Sequence, residues 1–510
     1  MIVEDQSEIL TFLRDPANHG GEAVEEIGTH AAHVFLAGDR AYKLKRSVRF
    51  AFLDFSTVTR RKTACEAELV LNRRAAPSLY LAVIPVTRDE GGSLALDGAG
   101  EPVDWLVVMR RFDQETLFDR LAARGVLEDR QLRDLADAIA AFHNIAEPHP
   151  DTGGRDSMAH VIAGNMETLR EGDGVFVAST VDTIGRLWQR VLDRHGTLLD
   201  SRRAAGRVRW CHGDLHLRNI CLIDGRPTLF DGIEFNPDIA CIDVLYDLAF
   251  LLMDLQHRDM GGAANLVLNR YLGCTEDMGG LALLPFFQSL RAGVRAMVSA
   301  IEAAEGYGGQ GDAARAYLDL ATALFERAPS ALLAIGGYSG TGKSSLAAAI
   351  APDLGAAPGA VILRSDVVRK RLMGVAPEAP LAEIAYTGDM TRRVYAHLQG
   401  LGGQALAAGA TVILDAVHGD AEERQAAAAL ASVVGVPFCG LWLEAPARVL
   451  RSRVEARQGD ASDATMAVLE SQLARGTGDV GWAHLDAGGT PSEMRTAALS
   501  RVTRAGIEVR

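Results

Sequence analysis

Residues 337–344 read Gly-Tyr-Ser-Gly-Thr-Gly-Lys-Ser, between an apolar run at 331–335 and an Ala-rich stretch at 345–350. Few local patterns constrain a fold so tightly. The glycines let successive backbone N–H groups turn inward around phosphate oxygens at a helix N-terminus, so the motif demands a strand before it and a helix after it. Apolar runs at 331–335, 360–363, 411–414 and 438–443 then alternate with helical stretches, an order that predicts an open parallel sheet with helices on both faces. In the loop, Gly337, Ser339, Gly340, Thr341, Gly342 and Ser345 are expected to line the phosphates. Lys343 would bridge the β- and γ-phosphates, and the Ser344 hydroxyl would bind Mg²⁺.

Composition narrows the remaining choices. Only five lysines (Lys43, Lys45, Lys62, Lys343 and Lys370) stand among 52 basic residues in a 510-residue chain, so each marks a position where a compact ammonium was kept over a guanidinium. Net charge is −14, which argues against a surface that coats nucleic acid. Six cysteines without a C-x-x-C pair read as free thiols in a reducing compartment. No apolar run reaches ~18 residues, and the first ten residues are acidic where a secretory signal would be basic. These features predict a soluble, cytoplasmic protein without a membrane segment.

Further along the second half, Asp415 closes the run at 411–414, where a carboxylate would help hold the metal; a polar strand end is the plainer alternative. Asp366 and Arg369 follow the run at 360–363. Asp366 is placed to take the proton of an acceptor hydroxyl or simply to cap the next helix, and Arg369 to hold the transferring phosphoryl group. Arg453 and Arg457, four apart on one helix face, suit a lid over phosphate or a solvated helix end. Through GYSGTGKSS, RSDVVRKRL, VILDA and RVEARQGDASDA, residues 330–510 resemble P-loop small-molecule kinases related to gluconate kinase and to polynucleotide kinase 5′-hydroxyl domains.

The first half follows a different pattern. Alternating runs at 33–36 and 41–44 flank a Gly38-Asp39 turn and predict a hairpin; 57–74 has helical spacing and 105–112 reads as a strand. From 114 to 328 the pattern is helical, interrupted by one hairpin around Asp224-Gly225. Cys211-His-Gly-Asp214-Leu-His216-Leu-Arg-Asn219 sets an Asp five positions before an Asn, the spacing of a kinase catalytic loop, and Asp231-Gly232 follows the hairpin. Asp214 would orient the attacking hydroxyl, and Asn219 and Asp231 would flank a Mg²⁺ ion. His212, His216, Asp243 and Asp247 are expected to brace the loop.

Strand alternation sends Lys43 and Lys45 to one face. Lys43 is preferred for the nucleotide phosphates and Glu68, over Glu66, as its partner; Met109 and Arg111 would offer backbone groups to adenine. No G-x-G-x-x-G precedes Lys43, and residues 28–33 stand in its place.

These motifs resemble the aminoglycoside phosphotransferase family, whose fold is that of the two-lobed protein kinases. Longer segments resemble the branch fused to a P-loop kinase in bacterial two-domain proteins. The resemblance implies an α+β kinase-like domain at 1–329 (small lobe about 1–108, large lobe about 109–329), followed by an α/β P-loop domain at 330–510. It implies ATP and Mg²⁺ as cofactors and a bifunctional phosphotransferase acting on hydroxyls of small molecules. Two alternatives are a catalytic half governed by a nucleotide-binding half, and a 5′-hydroxyl nucleic-acid kinase in the C-terminal half.

Overall fold

Alternation along Arg40–Lys45 sets the first sheet. Leu44 joins Phe35, Val86 and Leu106 in a core closed by Ile9 and Leu13, while Ala41, Lys43 and Lys45 take the opposite face. The computed structural model describes all residues except 1–2, 30, 50–52, 173, 305–308, 327, 377, 380, 382 and 457–464. The chain forms two compact units, residues 1–161 with 192–251 and residues 162–191 with 252–510.

In the first unit, β1 (Val24–Gly28), β2 (Ala32–Ala37), β3 (Arg40–Lys45), β4 (Tyr80–Arg88), β5 (Leu94–Leu96) and β6 (Glu101–Arg110) form an antiparallel sheet in the order β1-β2-β3-β6-β4-β5. The expected β2–β3 hairpin is present, with Ala37 opposite Arg40 across Gly38-Asp39. The helix Val58–Arg73 starts at Thr57, whose hydroxyl accepts the Arg60 N–H at 3.3 Å, a cap worth about 1 kcal/mol. Its buried face runs through Arg61, Cys65, Glu68 and Asn72, one residue per turn. Arg61 ties that face to β6 through Asp104 Oδ1 at 2.8 Å.

The second segment of this unit, residues 192–251, carries β7 (Val208–Trp210), β8 (Ile220–Ile223), β9 (Arg226–Leu229) and β10 (Cys241–Asp243). The β8–β9 hairpin turns through Asp224 (φ 51°) and Gly225 (φ 75°), two left-handed residues whose twist suits a two-residue loop. The antiparallel β7–β10 ladder corrects the expectation of a single hairpin in this region. Strands of three residues are too short to show a period of two.

The second unit holds five parallel strands: β11 (Leu332–Gly336), β12 (Val361–Arg364), β13 (Val412–Asp415), β14 (Phe438–Glu444) and β15 (Ala483–Asp486), in the order β12-β13-β11-β14-β15. The open parallel sheet is as expected, and β15 extends it by one strand. Leu333, Ile335, Ile413 and Leu441 form a buried core with Leu346 and Ile350 of the helix Lys343–Ile350. The motif loop leaves β11 at its carboxyl end, between the neighbouring ends of β13 and β14, the crevice where open parallel sheets hold their ligands. Among the described residues no helix is long and apolar enough to cross a membrane.

Candidate active sites

In the first unit, three elements meet at Glu68. Its Oε1 accepts from Lys43 Nζ at 2.8 Å and its Oε2 from Lys45 Nζ at 2.6 Å. Glu66 instead faces outward, 3.7 Å from Lys62. Lys43 also reaches Asp231 Oδ1 at 2.5 Å, and Lys45 reaches Glu234 Oε1 at 2.5 Å. Burial alone would raise the Glu68 pKa, but the two ammonium groups override it and hold the carboxyl at about 2.

Asp231 sits at φ 61°, a left-handed conformation costing a non-glycine residue about 1–2 kcal/mol. Two hydrogen bonds hold it there. Its N–H donates to Tyr80 Oη at 2.9 Å, and the Gly232 N–H donates to Asn72 Oδ1 at 2.8 Å.

The loop before β8 places the next group. Asn219 Nδ2 donates to Asp214 Oδ2 at 2.9 Å, and His216 Nε2 lies 3.3 Å from the same oxygen. Phe230 N–H donates to Asn219 O at 3.0 Å, so the hairpin returns Asp231 to a position beside Asn219. Asp247 braces the loop from below by accepting from Gly213 N–H at 2.9 Å and His212 N–H at 3.1 Å, with His143 Nε2 at 3.0 Å. Asp243 holds Arg202 through both oxygens, at 2.7 and 2.8 Å.

Met109 lies within the sheet, opposite Ala41 and Tyr80. The Arg111 N–H expected to meet adenine is bonded to Asp39 O at 2.8 Å, and the Arg111 side chain pairs with Glu25 at 3.3 Å. Where a glycine loop was absent from the sequence, the Thr29 N–H donates to Ala32 O at 2.8 Å.

The second unit builds the motif loop as its glycines require. A Cβ on Gly337 (φ 138°) would stand 2.6 Å from Leu443 O, and one on Gly340 (φ 86°) 2.9 Å from Leu450 O. Lys343 Nζ folds onto the loop carbonyls of Gly337 and Tyr338, at 2.8 and 3.0 Å, and the Ser339 N–H donates to Gln472 Oε1 at 2.9 Å. Ser344 Oγ donates to Asp415 Oδ2 at 2.6 Å, with Arg364 Nε 3.4 Å from the same oxygen. Burial raises the Asp415 pKa against the pull of Arg364 and Lys343.

Two cavities flank this loop. One, about 490 Å³, runs from Lys343 and Ser344 to a wall containing Asp366, Arg369, Tyr386 and Glu423. The other, about 300 Å³, lies between Gly340, Gly342, Arg453, Gly489 and Met494. Thr341 lines the second cavity, and Ser345 lines both. Asp366 lies in the first turn of the helix Ser365–Leu372 and is not its cap, which falls at Arg364. The Arg369 guanidinium donates to Ala385 O at 2.6 Å and lies over the Tyr386 ring at 5.1 Å. Arg453 Nη2 donates to Ala487 O at 2.9 Å; Arg457 lies outside the described residues. Within the basic run at 364–371, Arg369 and Lys370 are buried, Arg364 faces Asp415 and Arg371 pairs with Glu276 at 3.0 Å.

The phosphotransferase enzyme family model matches residues 36–284, and an AAA domain model matches residues 332–477. An uncharacterized protein of Mycobacterium tuberculosis (strain H37Rv) is 31% identical over 455 residues, 88% of this chain and 89% of its own length. One from Mycobacterium bovis matches to the same extent. The chain belongs to this two-domain family. It joins a phosphotransferase-family domain with the kinase-like fold to a P-loop domain, and it is an ATP-dependent phosphotransferase. Among solved structures it is similar to a choline/ethanolamine kinase family protein from Mesorhizobium loti (TM-score 0.41, 16% identity, 63% of this chain and 95% of that one). It is also similar to a gluconokinase from Sinorhizobium meliloti 1021 (TM-score 0.26, 24% identity, 35% of this chain and 94% of that one).

In this phosphotransferase, sequence reasoning missed Glu234, Tyr80 and Asn72 in the first site and Tyr386, Glu423 and Gln472 in the second. Glu234 carried one faint signal: an acid three residues beyond Asp231 in an otherwise apolar segment. The others declare themselves only through contacts across long stretches of chain.

Proposed function

We propose that this phosphotransferase is bifunctional, with one Mg–ATP site within residues 1–329 and another within residues 330–510. Each transfers the γ-phosphoryl group to a hydroxyl of a small, sugar-like molecule. The observation that supports this reading is the doubling of the phosphate-handling set: Lys43 with Asp214, Asn219 and Asp231, and Lys343 with Ser344, Asp366 and Asp415.

In each site the acceptor oxygen attacks the γ-phosphorus, the bond from phosphorus to the oxygen bridging to ADP breaks, and the hydroxyl proton passes to an aspartate. Asp214 takes that role in the first site and Asp366 in the second. Lys43 and Lys343 hold phosphate oxygens, while Arg369 and Arg453 approach the second site from its two cavities. The donor sets fit a hard divalent cation, being carboxylate, carboxamide and hydroxyl oxygens. Asn219 turns its amide nitrogen to Asp214, which leaves its amide oxygen as the end able to face a cation. Mg²⁺ held by Asn219 and Asp231, or beside Ser344 and Asp415, would neutralise phosphate charge. The protein contributes positioning and electrostatics.

The test uses the full-length chain, γ-labelled ATP and a pool of hydroxylated metabolites. Asp214→Asn and Lys343→Ala should each abolish a different labelled product, and the double variant both. If neither single variant removes a distinct product, the proposal fails; if either one removes all products, one half governs the other.

A further inference from the structure

Lys45 has no part in the transfer scheme, yet it is the more deeply placed of the two strand lysines, with 3% of its side chain exposed against 14% for Lys43. Its ammonium lies 2.6 Å from Glu68 Oε2, 2.5 Å from Glu234 Oε1 and 4.8 Å from the centre of the Phe55 ring. Lys43 and Lys45 are two residues apart on β3, so both ammonium groups emerge on one face and divide a single carboxylate between them. Each lysine has a second carboxylate besides Glu68: the half-exposed Asp231 for Lys43, and Glu234, with 5% of its side chain exposed, for Lys45.

The contacts close a ring: Asp231 to Lys43, Lys43 to Glu68, Glu68 to Lys45, Lys45 to Glu234. Its two ends lie three residues apart on the same segment. Resting on the reading of Lys43 and Asp231 as nucleotide-binding groups, we propose that Lys45 and Glu234 are a positioning pair for the first nucleotide site. Glu234 keeps Lys45 from drawing both Glu68 oxygens to itself, which leaves one for Lys43. Burial would push the Lys45 ammonium toward neutrality, but Glu234 and Glu68 keep it above its ordinary range, while burial raises the Glu234 carboxyl against the pull of Lys45. A buried ion pair adds little net stability over a well-packed apolar pair, so charge placement explains the pair better than stability does.

The test titrates Mg·AMP-PNP calorimetrically into the full-length chain carrying Lys343→Ala, which silences the second site. Thermal midpoints are recorded without nucleotide. Adding Glu234→Gln should raise the Kd at least about tenfold, as expected when a charge-assisted contact is lost. Adding Lys45→Met to that variant removes the competitor for Glu68 and should bring the Kd back to within about threefold of the parent. If Glu234→Gln does not fold, Glu234→Asp, shorter by one methylene, replaces it with the same direction of effect. A lowered midpoint with unchanged Kd overturns the proposal, as does a double variant that binds no better than the single one. A Lys343→Ala parent that binds no Mg·AMP-PNP overturns the nucleotide site itself and the proposal with it.

Discussion

Asn219 grips Asp214 twice, its side-chain nitrogen donating to the backbone carbonyl and to Oδ2, each at 2.9 Å. An Asp held by an amide presents its carboxylate in one orientation, which a proton acceptor needs more than a high pKa. In the Lys343→Ala background, Asp214→Asn should lower the rate of product formation from γ-labelled ATP by about 10²–10⁴-fold, the usual worth of a positioned acid–base group. Nucleotide affinity should hardly move. A rate within tenfold of the parent would remove Asp214 from the chemistry.

The motif loop separates two kinds of glycine requirement. Gly340 and Gly342 both have left-handed backbone, at φ 86° and 88°, and an alanine at either costs about 1–2 kcal/mol. Only at Gly340 does the new Cβ also meet a backbone carbonyl, Leu450 O at 2.9 Å; at Gly342 the nearest atom is Met494 Cε at 4.0 Å. Thermal unfolding of the two alanine variants should therefore show a clearly larger loss for Gly340→Ala. The reverse order would contradict the loop geometry.

His418 gives the second unit a pH dependence of defined sign. Its ring is buried between Tyr395 and Trp482, at 5.6 and 5.2 Å, and burial, reinforced by Lys343, lowers its pKa to about 3. Below the unfolded value near 6.5, the unfolded chain takes up a proton that the folded ring refuses. Stability from this group is complete above pH 6.5 and declines as pH falls toward 3, by about 1.4 kcal/mol per unit. Urea unfolding at pH 7 and pH 5 should show about 2 kcal/mol less of this decline in His418→Asn, whose amide tolerates the φ of 50° at that position. Equal declines in the two proteins would mean that the ring is protonated within the fold.

Legibility followed the range of the interactions. The motif loop, the β2–β3 hairpin and the helix after Thr57 are fixed by neighbours within a few residues, and the glycine pattern, alternation, turn residues and helical spacing announced them. β15 escaped because its sequence, Ala-His-Leu-Asp, buries only Leu485 and so carries no apolar run, unlike the equally short Val-Ile-Leu-Arg of β12. Alternation put Lys43 and Lys45 on one face but could not tell that both reach Glu68, since a helix and a strand must dock before the two oxygens find two partners. Glu234 and Tyr80 belong to the same class. Arg111 was assigned to adenine by position alone, and the bond from its N–H to Asp39 O depends on the turn ahead of β3.

The edge of the parallel sheet depends on side chains instead of another strand. On the side of β12 away from β13, Asn269 Oδ1 accepts the Ile362 N–H at 2.6 Å, and the amide nitrogens of Asn265 and Asn269 donate to Ala360 O, each at 3.1 Å. Both asparagines lie on the helix Gly261–Thr275, which thereby mimics a neighbouring strand for two backbone groups that burial would otherwise leave unmet. Asn269→Leu keeps the branched outline and removes both hydrogen bonds to this edge, so it should cost about 1–3 kcal/mol. Because β12 leads directly into the helix carrying Asp366 and Arg369, formation of the product assigned to the Lys343 site should fall as well, with the Asp214-dependent product spared. Amide exchange reads the cause directly: the Ile362 N–H should exchange faster in the variant, while Val361 N–H, bonded to Thr411 O at 2.8 Å on the other side of the strand, keeps its protection. Unchanged exchange at Ile362 would mean that another group covers this edge.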